Sequence, residues 1–81
     1  MNAQKRNTFK FLVQLRLDRI RTDYAEQFIE EEEFDKQVSE LLATVIEKSG
    51  EHETLKEVMS VFTVKEVIHA LGLQEQNENL A

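Results

Sequence analysis

From Phe34 to Gly50 the apolar positions recur with the period of a helix. Phe34, Val38, Leu41, Leu42, Val45 and Ile46 lie three and four residues apart. Ala, Leu, Glu and Lys supply helix propensity, and Gly50 stands where a helix can end. The pattern predicts an amphipathic helix with one apolar face, and that face needs the other segments to cover it. Upstream, Asn7 or Thr8 could cap a long helix running to about Glu30. At ~100° per residue, Phe9, Val13, Leu17, Ile20, Tyr24 and Phe28 share an arc of about 100°, the width of a core-facing stripe. Phe11 and Leu15 fall on the opposite side, with Leu12 between the two groups. The front half of this helix is therefore apolar on more than one face, which calls for a contact on each side.

A second period runs through the same residues. Phe9, Phe11, Val13, Leu15 and Leu17 alternate with Lys10, Gln14, Arg16 and Asp18, the pattern of a half-buried strand that only Leu12 breaks. Its pairing partner would be Val58 to Val64, but no hairpin turn joins the two. The stripe through Tyr24 and Phe28 outruns any ordinary strand, so the helical reading is preferred. The acidic run Glu30 to Glu33 places a bend near Glu31. Its carboxylates suit the first turn of the next helix, whose free N–H groups carry partial positive charge. A calcium loop would need alternating oxygen ligands and a glycine for its turn, and this run has neither.

After Gly50, Leu55, Val58, Met59 and Phe62 predict a short third helix. A fourth begins at a capping box of Thr63 and Glu66, with Phe62 and Val67 as its hydrophobic staple. Gly72 is expected to close it, with Leu73 folding back on Ile68. The sequence thus predicts an all-α protein, a small bundle of about four helices: a long first helix, an amphipathic second and two short C-terminal ones. Residues 1–73 form one domain, and 74–81 a polar, disordered tail.

Composition narrows the function classes. A chain of 81 residues without cysteine has a small core and no disulfide or thiolate metal site to reinforce it, so self-association would help it. The expectation is a homodimer. Apolar runs near the N-terminus are interrupted by Gln14, Arg16, Asp18 and Arg19, which leaves no membrane span or signal peptide and makes the cytoplasm the default compartment. The net charge of −6 is unevenly spread: residues 1–22 hold six cations against one anion, a balance of +5, and the remainder carries −11. The acidic remainder would repel a nucleic-acid backbone, and attraction between the two ends, within one fold or between copies, is the simpler consequence.

Two constellations carry possible chemistry. The stretch TVKEVIHALGL, Thr63 to Leu73, resembles the opening helix and turn of helix-turn-helix DNA-binding domains in its threonine cap, acidic residue, apolar pair and Leu-Gly-Leu. That resemblance implies a dimeric transcriptional regulator whose recognition helix follows Gly72. Gln74, Glu75, Gln76, Asn77, Glu78 and Asn79 stand there instead, without a Lys or Arg for phosphate and with two carboxylates, which argues against nucleic acid as the partner. The second constellation, Glu66 and His69, has the Glu-x-x-His spacing of di-iron bundles, but Glu66 already serves the cap and one such pair arises easily in a glutamate-rich chain. No metal or cofactor site is expected.

Catalysis is not expected either. Ser39, Ser49 and Ser60 sit in helices or at their ends, His52 lies between two glutamates, and Gly50 and Gly72 both punctuate helices instead of cradling phosphate. What remains is a regulatory or adaptor protein acting by contact with a protein partner. Its candidate interface is Phe11, Leu12 and Leu15, fringed by Arg16 and Arg19, since arginine around an apolar centre is a composition that interfaces favour. The competing expectation buries these residues against the third and fourth helices of the same chain.

Overall fold

The computed structural model describes the backbone of residues 2–80 and the side chains of residues 2–72. Four helices follow one another, α1 (Ala3–Ala25), α2 (Glu31–Ser49), α3 (His52–Met59) and α4 (Val64–Leu80), with no strand among the described residues. The period-two pattern at the start of the chain is overridden. Residues 8–17 lie within a helix of 23 residues, long enough to bury the 3.6-residue stripe along α2.

Each helix end has a local cause. Asn2 caps α1, its side-chain oxygen accepting from the Lys5 N–H at 2.9 Å. Neither Asn7 nor Thr8 does so, and the Thr8 hydroxyl instead donates to the Gln4 carbonyl inside the helix. The extra turn carries Arg6 to Glu57 on α3, 3.0 Å away. At the other end the N–H of Gln27 bonds Tyr24 O at 3.1 Å and that of Phe28 bonds Asp23 O at 2.8 Å, the paired bonds of a Schellman turn. Gln27 takes the left-handed position, φ 65°, where glycine is usual. Gln27→Gly is therefore expected to raise stability by about 1 kcal/mol, read as a shift in urea midpoint at unchanged slope. No shift would mean that the glutamine is not strained there.

Glu31, Glu32 and Glu33 fill the first turn of α2 as the charge argument requires, and Gly50 ends it with φ 67°. Gly72 does not behave as expected. It lies inside α4, which continues to Leu80, and a Cβ there would meet nothing within 4 Å, so no close approach explains a glycine. The Leu73 side chain expected on Ile68 falls outside the described residues, as does Ala81.

α2 is the organising element, since α1, α3 and α4 all pack on it. Val13, Leu17 and Ile20 from α1 meet Val38, Leu42 and Val45 from α2, with Val58, Phe62 and Ala70 closing the core. Ser39 and Ala70, both small and buried, meet where α4 packs on α2, the serine hydroxyl donating to the Ala70 carbonyl at 3.4 Å. The expected stripe holds from Phe9 through Ile20. Tyr24 is partly exposed and stacks on Phe34 with ring centroids 4.7 Å apart. Phe28 lies in the Schellman turn and is exposed, as is much of Ile46. The protein is a slab of 36 × 33 × 18 Å, less than two full helix diameters thick, so its helices keep an outward face.

Candidate functional site

Phe11, Leu12 and Leu15 lie on the outward face of α1, opposite Val13, Leu17 and Ile20. Their exposures are 59%, 56% and 51%, whereas the three core residues are at most 4% exposed. Among the described residues, α3 and α4 do not cover them, contrary to the competing expectation. Arg16 and Arg19 are exposed beside them, and Arg19 reaches Asp23 one turn on at 3.3 Å, a solvent-screened pair of small worth. At the N-terminal end of this face a shallow groove opens between α1 and the end of α2, lined by Lys5, Thr8, Phe9, Leu12 and Lys48.

A second apolar stripe was not anticipated. Val64, Ile68 and Leu71 are exposed on α4 at spacings of four and three, on the side away from buried Glu66 and Ala70. The spacing was visible in the sequence. The competing assignments of Val67 to the staple and Ile68 to the helix end concealed it.

The most structured polar cluster joins α1 to the start of α4. Glu66 is 8% exposed. It accepts from Arg21 Nε at 2.9 Å and from an Arg21 terminal nitrogen at 2.6 Å, a bidentate pair. The capping box forms around the same carboxylate: Thr63 N–H donates to it at 2.7 Å, and the Glu66 N–H donates to the Thr63 hydroxyl at 3.1 Å. The terminal nitrogen of Arg21 also donates to Val61 O. Burial pushes the Glu66 carboxyl up, but the bonds from Arg21 and Thr63 and the arginine charge outweigh it and hold the group below the usual carboxylate range. The bond to Glu66 correspondingly raises Arg21, against the effect of its own burial.

Both Glu66 oxygens are thus engaged by Arg21 or Thr63, and His69 faces Asp35, Nδ1 to Oδ2 3.5 Å. Among the described residues no group of three or more His, Cys, Asp or Glu gathers where an ion could sit. The groove bounded by Tyr24, Phe34, Thr63, Glu66 and His69 encloses about 230 Å³, below the range of about 300–1,000 Å³ usual for small-molecule sites. Nor, among the described residues, is any helix long and apolar enough to cross a membrane. Comparison with protein-family models, with curated proteins and with solved structures gives no match.

Proposed function

We propose that the chain is a small non-catalytic adaptor or regulatory module, acting in the cytoplasm by protein–protein contact through the outer face of α1. The observation that supports this is the exposure of Phe11, Leu12 and Leu15 as one patch flanked by Arg16 and Arg19, while the same helix buries a separate, complete stripe. Large apolar side chains grouped on one face, with arginine at the edge, fit a docking surface better than a solvated one. The helix-turn-helix alternative lacks its turn, because α4 continues through Gly72.

Leu15→Glu tests the reading. Since Leu15 does not belong to the core, the variant is expected to keep its helical circular dichroism and lose less than about 1 kcal/mol of monomer stability. It is expected to lose self-association or capture of a partner on the order of 100-fold. Unfolding of the variant, or association unchanged by it, would dispose of the interface.

A further inference from the structure

We propose that the occupant of the outer α1 face is a second copy of the same chain, packed antiparallel with the two-fold axis beside Leu15. This rests on the interface reading above and names its partner. Lys5, Thr8, Leu12, Leu15, Arg19, Thr22 and Glu26 are separated by three, four, three, four, three and four residues, and all seven are exposed. They form one continuous line along the outer face, apolar at its centre and polar towards both ends. Glu26, at the end of α1, completes it. Leu12 and Leu15 sit at its centre, Phe11 beside them, and threonines occupy equivalent places on either side.

Charge selects the direction. A parallel pair would set Lys5 on Lys5, Arg19 on Arg19 and Glu26 on Glu26, each repulsive. Turning one copy end for end about Leu15 sets Thr8 against Thr22 twice and Leu15 on its own copy, and brings Lys5 opposite Ala25, one residue from Glu26 and within reach of a lysine side chain. It also brings Arg19 over Leu12 and Phe11 of the other chain, where a guanidinium can lie on an aromatic face. Giving up the exposed Arg19–Asp23 pair for this costs little. Arg16, on the flank of the seam, is the cation that approaches its own copy near the axis. An isologous contact of this kind uses the same patch on both chains, which a face centred on one residue satisfies directly. The two copies meet through like-charged, basic sides, a long-range repulsion that salt screens and that the apolar contacts of Leu12 and Leu15 and the Lys5 and Glu26 side chains offset.

The test exploits a chain with no natural cysteine. Light scattering on the full chain through the micromolar range is expected to show the mass rising from 9.5 kDa towards twice that value. Leu15→Cys is expected to form a disulfide with its own copy on oxidation. Thr8→Cys mixed with Thr22→Cys is expected to cross-link between the two variants, with little product from Thr8→Cys alone. Lys5→Glu and Glu26→Lys should each weaken dimerisation roughly three- to tenfold and restore it when combined in one chain. A monomer at every concentration would overturn the second copy while leaving the face open to a different protein. Efficient self-linkage of Thr8→Cys would overturn the antiparallel arrangement. Unfolding of Leu15→Glu would remove both this inference and the function it rests on.

Discussion

Leu17→Ala is expected to lower the thermal midpoint by about 10–30 °C and to leave a substantial unfolded fraction at 37 °C. Leu17 is fully buried in the α1 stripe that meets Val38, Leu42 and Val45. Truncating a leucine in such a place costs about 2–5 kcal/mol, the transfer of its methyl groups plus the cavity they leave. A domain of this length has only about 4–12 kcal/mol in total, and each kcal/mol lowers the midpoint by about 4–8 °C. Only two residues, about half a helical turn, separate this effect from its opposite: Leu15→Ala, on the outer face, should move the monomer midpoint by only a few degrees. Circular dichroism melts of the two variants at low concentration check the contrast. A smaller loss for Leu17 than for Leu15 would mean that the two faces of α1 have been assigned the wrong way round.

Glu66→Ala carries the second large effect, about 2–3 kcal/mol. It strips the capping acceptor from Thr63 and leaves the Arg21 guanidinium only the longer carboxylate contact to Asp18, 3.6 Å, in place of the bidentate pair. A fully buried pair would lose about 3–5 kcal/mol, but the Arg21 side chain is 35% exposed and water can rehydrate it. Glu66 also gives the protein a defined acid response. Its carboxyl is held lower in the folded than in the unfolded chain, so the associated stability is fully present above the unfolded value of about 4.3 and is lost as pH falls from there through the folded value. Urea titrations between neutral pH and pH 3 should show a shallower acid loss in Glu66→Gln than in the natural chain. Equal slopes would show that other carboxylates carry the acid sensitivity.

The sequence exposed what was local and hid what was not. Apolar spacing identified α2 as the centre, the glutamate run marked its start, and Gly50 marked its end. Thr63 and Glu66 announced their own capping box, because all the atoms involved lie within four residues. Arg21 lies 45 positions from Glu66, and no pattern within either helix links them. The end of α1 was concealed differently. A Schellman turn built on Gln27 lacks the glycine that signals one, so the stripe was extended to Phe28, which lies in the turn and faces solvent. Gly72 produced the reverse error, a stop signal inside a helix whose next residues, Leu, Gln and Glu, all tolerate helical conformation. For the candidate face, the periodicity located Phe11, Leu12 and Leu15 but could not decide whether another helix covered them. That depended on the thinness of the slab, a property of how four helices are arranged.

The double employment of Glu66 bears on how the protein opens. A helix start is ordinarily free to fray, since its first turn gives up only bonds within itself. Here the acceptor that holds the first turn of α4 is also the group that ties it to Arg21 of α1, 45 positions away, and among the described residues the α1 and α4 backbones do not otherwise approach closely. Releasing that turn therefore also breaks a contact between residues 45 positions apart, although the α2 packing and the Arg21 bond to Val61 O still hold the segments near each other. The beginning of α4 thus belongs to the same cooperative unit as α1, so local opening is coupled to the loss of a long-range contact.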